Sequence, residues 1–379
     1  MTMDAVHLML LTTLVVVVIT IVLLIVVARQ VVANRRELAE LREAANLALR
    51  EDGGDGSGGA SRPRVPARVR KVTVVMNPTK HSDPERFRKR LRTVVDAIHD
   101  TSLTCLDTTP EDPGHGQTLQ AMRDGADLVI AAGGDGTVRM VASALAGSDV
   151  RMGIIPVGTG NLLARNLELP LDDVERALLT AITGKDRRID VGWLQAGMSQ
   201  EEADAAPRRI FLVMSGYGAD AQMIGYTDPQ LKKRVGWIAY VFGGIRTIVG
   251  RSHDVVVSLP GGSSFALKAR TVLIGNVGKL PGGLVLMPGA TIDNGRLEVL
   301  VAAWRGAAGF SQIVTQIVNP RIVARPRLST MERYLTEAVH VAATKPQPVQ
   351  LDGDTEDAAT HLVASVDAGA LMIRTPGRG

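Results

Sequence analysis

Two glycine-rich segments carry the residues best suited to chemistry. GGDGT covers residues 133–137 and PVGTGN covers residues 156–161; each follows a short apolar run and precedes a helical pattern. Glycine lets a phosphate approach backbone N–H groups, and a helix N-terminus adds free donors and a favourable dipole. The two segments together predict a phosphate-binding cradle, to which Thr137 and Thr159 add hydroxyl groups.

An acidic residue interrupts the first of these segments. Asp135 opposes a phosphate, so its carboxylate is expected to bind a cation, accept a hydrogen bond or take up a proton. No Gly-Lys-Ser/Thr follows at Walker spacing, and Gly134-x-Gly136 continues to Arg139 rather than to the third glycine of a dinucleotide fingerprint. Either segment alone is compatible with an ordinary β–α turn, but the pair favours an anion site.

Alternating elements surround these segments. Strands are predicted at 71–77, 102–106, 127–132 and 151–156, and helices at 84–99, 116–124, 137–146 and 161–167. Strands and helices at this spacing indicate a parallel sheet covered on both faces, in which ligands bind at the carboxyl ends of the strands. We therefore predict an α/β domain with its ligand site at that edge of the sheet.

The pattern changes after residue 188 to strands separated by Gly and Pro turns. Strands are predicted at 189–194, 210–214, 253–259, 266–276, 296–302, 339–343, 348–351 and 371–375, with one helix at 233–249. This arrangement favours a mainly β domain of the sandwich type.

The composition excludes several other classes of protein. The 379 residues have a formal net charge of only +4, and 3% of them are aromatic, so no nucleic-acid partner is predicted. Cys105 is the single cysteine, which excludes an intramolecular disulfide and a Cys-rich zinc site. The seven histidines lack metal-binding spacing, and we predict no metal-ligating set of residues.

An uncharged apolar run covers residues 8–27. As a helix it spans ~30 Å, the thickness of the hydrocarbon core of a bilayer. It lacks the basic start and the small-residue exit of a cleaved signal peptide. Arg29, Arg35 and Arg36 follow it and no Lys or Arg precedes it, so the positive-inside rule places the rest of the chain in the cytoplasm. We predict a single-pass anchor in the cell membrane.

The next segment connects this anchor to the folded body. Residues 30–50 fit a heptad pattern for less than three heptads, so we interpret them as a solvated stalk, with a homodimer through the stalk as the alternative. A Gly/Ser/Pro linker follows at 51–68. The expected divisions are an anchor at 1–28, a stalk and linker at 29–69, the α/β domain at 70–188 and the β domain at 189–379.

In order along the chain, these motifs resemble the diacylglycerol kinase catalytic domain family, which includes bacterial lipid kinases and sphingosine kinases. GGDGT followed by GTGN is the specific part of the resemblance. The weaker matches, in the same order as in the family, are NPTK at 77–80, SGYGAD at 215–220, KKRVGWIAY at 232–240, PGGLVLMPGATIDNGRLEV at 281–299 and LDGD at 351–354.

The resemblance implies that the α/β domain is a nucleotide-binding domain, that ATP binds between it and a β-sandwich lipid domain, and that the γ-phosphate of ATP passes to a lipid hydroxyl. The implied ATP-binding residues are Asn77, Thr109, Gly133, Gly134, Asp135, Gly136, Thr137, Gly158, Thr159, Asn161 and Arg165. Asp220 is implied at the lipid headgroup. Asp354 aligns with the catalytic base, with Asp135 as a second candidate, and Mg²⁺ is expected to accompany the ATP phosphates.

The sequence departs from the family at several positions. Asp354 replaces a longer Glu, Arg139-Met140 replaces an Asn-Glu pair, and Leu162 replaces an Asp. Asn294 replaces an Asp that binds a structural Mg²⁺, and because an amide is a poorer ligand for a hard cation, we do not predict that site. The expected function is a membrane-anchored lipid kinase of phospholipid metabolism. A tethered nucleotide- or lipid-binding protein without kinase chemistry, and a kinase of small soluble hydroxyl compounds, are the alternatives.

Overall fold

The structure, a computed structural model, describes residues 69–98, 100–217, 252–280, 284–318 and 328–376. All of these except Leu284 belong to one compact unit. The strands are β1 Lys71–Met76, β2 Ser102–Asp107, β3 Leu128–Gly133, β4 Arg151–Pro156, β5 Lys185–Gly197, β6 Arg209–Phe211, β7 Met214–Tyr217, β8 His253–Ser258, β9 Ser264–Ala269, β10 Thr271–Gly275, β11 Lys279–Leu280, β12 Leu284–Val285, β13 Leu297–Trp304, β14 Ser329–Thr336, β15 Ala338–Leu351 and β16 Asp354–Thr375. The helices are α1 Pro84–Asp96, α2 His115–Arg123, α3 Asp135–Leu145, α4 Leu162–Asn166, α5 Val174–Thr183, α6 Gln200–Ala205 and α7 Gly306–Val318.

The first part of the chain forms the predicted parallel sheet. Its strands lie in the order β4-β3-β1-β2, and each neighbouring pair is parallel. All six residues of β3 are buried, as expected for a strand covered on both faces. The sheet therefore brings the carboxyl ends of β1, β3 and β4 to one edge, where the glycine segments begin.

Amphipathic helices cover this sheet. In α1, Phe87, Leu91 and Val95 recur at a spacing of four residues and are buried in one core with β1, β3 and α5. The helix begins after Asp83, whose side chain accepts a hydrogen bond from the amide of Arg86 at 2.9 Å. The burial of this apolar face fixes the helix against the sheet.

The second part of the chain forms a β-sandwich-like layer structure, as predicted. Its core is made of buried apolar side chains from β5 to β10, β13, β15 and β16, including Phe211 and Tyr217. The strands on this side run in the order β14-β13-β10-β7-β15-β16, and β8 and β9 pair on β15. The described residues thus confirm an α/β domain followed by a mainly β domain.

The long strand β16 connects the two parts. Its first half pairs antiparallel with β15, and the part from His361 to Thr375 pairs antiparallel with β5. Near its end, Ile373 pairs parallel with Met152 of β4. The last strand of the chain is therefore added to the parallel sheet, next to β4. The boundary expected between residues 188 and 189 falls inside β5.

Several elements differ from those expected. The strand expected at 266–276 is divided at Arg270, because β9 pairs with β8 whereas β10 pairs with β7 and β13. Helix α3 begins at Asp135, two residues earlier than predicted, so that Asp135 and Gly136 belong to its first turn. The helices α5, α6 and α7 and the strand β14 were not predicted.

Some expected elements lie outside the described residues. These are the anchor at 8–27, the stalk and linker up to residue 68, and the helix at 233–249. Among the residues that the structure describes, no helix is both long enough and apolar enough to cross a bilayer.

Candidate functional site

The two glycine segments lie side by side. They leave the neighbouring parallel strands β3 and β4, with Gly133 paired to Pro156. A Cβ atom on Gly158 would lie 2.8 Å from the Cα of Gly134. Any other residue at position 158 would therefore clash with the backbone of the first segment unless one of the two segments moved. The predicted pairing of the segments is therefore present, and glycine is required where they touch.

Asp135 joins the two segments through its carboxylate. One oxygen accepts a hydrogen bond from the amide of Asn161 at 2.9 Å, and the other accepts one from the amide of Leu162 at 2.7 Å. Burial raises the pKa of Asp135, and the hydrogen bonds from Leu162 and Asn161 oppose that rise. Of the three roles expected for this acid, the structure shows the role of hydrogen-bond acceptor, with the amides of Asn161 and Leu162 as the donors.

Asn161 closes the second segment on itself. Its backbone is left-handed, with φ of 48°, a conformation that asparagine tolerates better than most residues. Its side-chain oxygen accepts a hydrogen bond from the amide of Gly158 at 3.0 Å, and its side-chain nitrogen donates to the carbonyl of Gly158 at 2.8 Å. These two hydrogen bonds hold the segment in a closed turn.

The available anion donors lie mainly at the start of α3. The N-cap residue of this helix, Gly134, provides no capping side chain, so the first-turn amides are the candidate donors to an anion, although the amide of Asp135 also interacts with its own carboxylate. At the start of α4, by contrast, the amides of Asn161 and Leu162 already donate to Asp135. The first glycine segment is thus the better phosphate site, and the second acts as its support.

A tight hairpin brings a second acid to this place. β15 and β16 are joined by Asp352 and Gly353, with φ of 49° and 93°, and Leu351 pairs with Asp354 across the turn. Two residues with positive φ between paired strands are typical of a type I′ turn, for which Asp-Gly is a favoured sequence. The hairpin places an oxygen of Asp354 3.7 Å from the position of a Cβ on Gly136.

Asp352 fixes this hairpin from inside. Its buried carboxylate accepts hydrogen bonds from the amides of residues 212–214, at distances of 2.8, 2.8 and 3.0 Å. Burial raises the pKa of Asp352 to about 6, although these amides and Arg139 oppose the rise. The turn is therefore tied to the segment that leads into β7, where the SGYGAD motif begins.

Asp354 itself forms an ion pair with α3. Its Oδ2 lies 2.6 Å from Nη2 of Arg139, and the side chain of Asp354 keeps 57% of its surface exposed. Nη1 of Arg139 is 3.5 Å from the carbonyl of Leu351 and 3.9 Å from Glu356, which also pairs with Arg209. An acid from the β domain and the helix that begins in the first glycine segment thus meet at one place.

Comparisons with known proteins agree with this architecture. Residues 71–194 match the diacylglycerol kinase catalytic domain, and residues 212–375 match the YegS C-terminal NAD kinase beta sandwich-like domain. The chain is 31% identical over 279 residues to the probable lipid kinase YegS-like of Xanthomonas campestris pv. campestris (strain 8004), a match that covers 70% of this chain and 84% of that protein. The chain belongs to the diacylglycerol kinase catalytic domain family. It is accordingly an ATP-dependent kinase that acts on a hydroxyl group.

Two further proteins are similar to this kinase. The diacylglycerol kinase of Bacillus subtilis (strain 168) is 27% identical over 294 residues, which cover 76% of this chain and 90% of that protein. The crystal structure of a putative diacylglycerol kinase from Bacillus anthracis str. Sterne matches with a TM-score of 0.64 at 19% identity, over 84% of this chain and 99% of that chain. The second match shows that the fold is shared.

Two other predicted ATP-binding residues lie in the loops that follow β1 and β2. The side chain of Asn77, at the end of β1, accepts hydrogen bonds from the amide of Thr79 at 3.0 Å and from its hydroxyl at 2.7 Å. Thr109, in the loop after β2, accepts a hydrogen bond from the amide of Asp112 at 3.1 Å. These contacts organise the loops at the carboxyl edge of the sheet.

Two of the predicted ATP-binding residues, Thr159 and Arg165, are exposed in or just after the second segment. The Nε of Arg165 donates to the carbonyl of Gly160 at 2.8 Å. Asp220, the residue implied at the lipid headgroup, lies outside the described residues, so its role stays a prediction.

The side chains of the described residues do not form a metal site by themselves, because no three His, Cys, Asp or Glu side chains among them come together. Asn294 donates to the carbonyl of Gly289 at 3.0 Å and accepts from the amide of Arg296 at 3.0 Å, so its amide closes a turn. The expected Mg²⁺ that accompanies the ATP phosphates stays a prediction.

Two residues at the site were missed by the sequence reasoning. Asp352 belongs to the LDGD motif, and its Asp-Gly between two apolar runs is a hairpin signal that predicts its position. Arg139 is a departure from the family, and its sequence neighbours indicate no role for it. Its partner is 215 residues further along the chain, and no local pattern reveals such a pair.

Proposed function

We propose that this kinase transfers the γ-phosphate of ATP to a hydroxyl group of a membrane lipid, with diacylglycerol as the first candidate acceptor. The proposal includes action at the cytoplasmic face of the cell membrane, to which the apolar segment at 8–27 would hold the enzyme. The names of the relatives support a lipid acceptor, because both the Bacillus subtilis and the Xanthomonas campestris proteins are named for lipid kinase activity.

One observation carries the proposal. The carboxylate of Asp354 lies over Gly136, in the first turn of the uncapped helix α3. A phosphate bound at the helix N-terminus and an acid able to accept a proton therefore share one exposed place. A site that only bound a nucleotide would have no need of a carboxylate beside its phosphates, since like charges repel.

The proposed reaction is a direct transfer of the γ-phosphate. The acceptor hydroxyl approaches the γ-phosphorus while its proton moves to the carboxylate of Asp354. A bond forms between the acceptor oxygen and the γ-phosphorus, the bond from that phosphorus to the bridging oxygen of the β-phosphate breaks, and ADP leaves. Asp354 serves as the base because both oxygens of Asp135 are already hydrogen-bonded to Asn161 and Leu162.

The remaining residues bind and position the substrates in this scheme. The amides at the start of α3 hold phosphate oxygens, and the second glycine segment keeps that helix end in place. Mg²⁺ bound to the ATP phosphates would neutralise the charge that develops during transfer. Most of the rate enhancement then comes from positioning and electrostatic stabilisation rather than from covalent chemistry.

The tethered binding protein without kinase activity is the second candidate. Its support is the ion pair between Asp354 and Arg139, which engages one oxygen of the proposed base. The protein with all 379 residues, incubated with γ-labelled ATP and vesicles containing single lipids, separates the two. Label in a lipid supports the kinase, and ATP binding without label in any lipid or soluble alcohol contradicts it. Label only in a soluble alcohol would replace the lipid with a soluble acceptor.

A further inference from the structure

We propose that Arg139 is a positioning residue for the general base: it holds Oδ2 of Asp354 over the phosphate-binding helix and leaves Oδ1 for the acceptor hydroxyl. This inference rests on the proposed function, because it assigns a role within the same phosphate transfer. It concerns a residue at which this sequence departs from the Asn-Glu that commonly follows GGDGT.

The location of Arg139 carries the first part of the argument. It lies on α3 one turn after Asp135, and its Nη2 is 2.6 Å from Oδ2 of Asp354. The same Oδ2 lies 3.7 Å from the Cβ position of Gly136. The guanidinium therefore fixes the carboxylate at the first turn of the helix, where the phosphate donors are.

The packing of Arg139 gives it the rigidity that positioning needs. Its side chain is only 13% exposed, and its Nη1 faces the carbonyl of Leu351 at 3.5 Å and the carboxylate of Glu356 at 3.9 Å. The guanidinium thus lies against both strands of the hairpin that carries Asp354. A planar guanidinium held at several points restricts the direction of its partner more than a lysine ammonium does.

The environment of Arg139 indicates that a contribution to the stability of the fold does not by itself account for an arginine at this position. Its Nε is buried and has no hydrogen-bond partner among the described residues. A buried donor without a partner lowers the stability of the folded state. In this position Arg139 nevertheless orients the carboxylate of Asp354.

The two oxygens of Asp354 have different surroundings. Oδ2 is bound by Arg139, whereas Oδ1 receives no hydrogen bond from the residues that the structure describes, and the side chain is 57% exposed. In the proposed transfer, the hydroxyl proton goes to Oδ1 as the acceptor oxygen bonds to the γ-phosphorus and ADP leaves. Asp354 therefore keeps its link to α3 while it takes up the proton.

Kinetic measurements on Arg139→Gln and Arg139→Lys test the proposal. Misplacing a reacting group by about 1 Å costs on the order of 100-fold in rate, so we expect kcat for Arg139→Gln to fall by about that factor, while KM for ATP changes by less than about threefold. Arg139→Lys, which retains the charge, should recover part of kcat. A kcat of Arg139→Gln equal to or above that of the parent protein would overturn the proposal.

A matched control and a double variant separate positioning from folding. Arg151 is 15% exposed and pairs with Asp186 at 3.1 Å, away from the site, so Arg151→Gln removes a similar ion pair and should leave kcat unchanged. In an Asp354→Asn background, Arg139→Gln should cause no further loss of residual kcat, because residues that act as a unit are non-additive. A full further loss in that background would contradict the assignment.

These outcomes distinguish the two proposals. If the parent protein transfers phosphate to no acceptor, the proposed function fails and the role of Arg139 fails with it. If the parent protein is active and Arg139→Gln is equally active, only the role of Arg139 fails. Thermal unfolding of every variant shows whether a loss of kcat comes from loss of the fold instead, and Arg139→Lys then remains as the milder test.

Discussion

The amide nitrogen of Asn161 lies 2.9 Å from Oδ2 of Asp135, which joins the end of the second glycine segment to the first turn of α3. The acid in the middle of the GGDGT motif thus accepts hydrogen bonds from the backbone amides of Asn161 and Leu162. It fixes the distance between two loops that leave different strands. The proposed phosphate site is therefore organised by a side chain whose own charge opposes phosphate.

Replacement of Asp135 by Asn tests this link. An amide side chain has one acceptor oxygen, so either the amide of Asn161 or that of Leu162 loses its partner. A buried amide left unpaired costs about 1–3 kcal/mol in the free energy of unfolding, and ATP affinity should fall because the segments separate. Chemical denaturation and ATP titration measure the two effects. Unchanged stability together with complete loss of phosphate transfer would instead assign Asp135 to the chemistry.

The contact between the glycine backbones gives a second prediction. In Gly158→Ala, the new Cβ would lie 2.8 Å from the Cα of Gly134, a backbone atom that cannot move aside alone. We expect a loss of about 1–3 kcal/mol of stability and weaker ATP binding. In Gly134→Ala, the Cβ would lie 3.6 Å from its nearest neighbour, so ligand-free stability should change little. Equal thermal stabilities of the two variants would contradict this packing.

The buried carboxylate of Asp352 gives a third prediction. Asp352→Ala leaves the amides of residues 212–214 without their acceptor, which should lower the free energy of unfolding by at least about 1–3 kcal/mol. Asp352→Asn keeps one acceptor and should be less damaging. Denaturant unfolding of both variants measures the order. An Ala variant as stable as the parent protein would show that the hairpin does not depend on this acid.

The paired histidines of the sandwich give a prediction about pH. Nε2 of His340 lies 2.9 Å from Nδ1 of His361, and burial and the charge of His361 lower the pKa of His340 below its ordinary value of 6.5. The unfolded chain then binds more protons than the folded protein just below pH 6.5, so the free energy of unfolding falls as the pH decreases.

His340→Gln should reduce this dependence on pH. We expect its melting temperature to decrease less between about pH 7.5 and about pH 5.5 than that of the parent protein, because one group that resists protonation is gone. Thermal unfolding across that range measures the difference. Parallel pH curves for the two proteins would contradict the assignment to His340.

The sequence predicted the α/β half of the fold because its signals there are local. Each strand from β1 to β4 is a short apolar run between turn residues, and all four were found within one residue of their predicted ends. β16 shows where this reasoning stops. Buried and exposed residues alternate over only part of its 22 residues. Gly369, with φ of 60°, lies at a shift of register in the pairing with β5, and the apolar pattern is interrupted there.

The same limit applies to the site. The glycine segments follow strands that are neighbours in the sheet, so their meeting was predictable from the parallel topology. The pairing of Asp354 with Arg139 was not, because it depends on the hairpin of the β domain reaching helix α3 from 215 residues away. Tertiary contacts of this range leave no trace in the local spacing of residues.

Single-turnover transfer from γ-labelled ATP to diacylglycerol in vesicles, by the parent protein and by Asp354→Asn, tests whether Asp354 is the general base. ATP affinity is determined on the same samples. Loss of general base catalysis costs on the order of 100- to 10,000-fold, so we expect Asp354→Asn to lose transfer in this range while its ATP affinity stays close to that of the parent protein. Transfer by Asp354→Asn at the rate of the parent protein would contradict this role of Asp354.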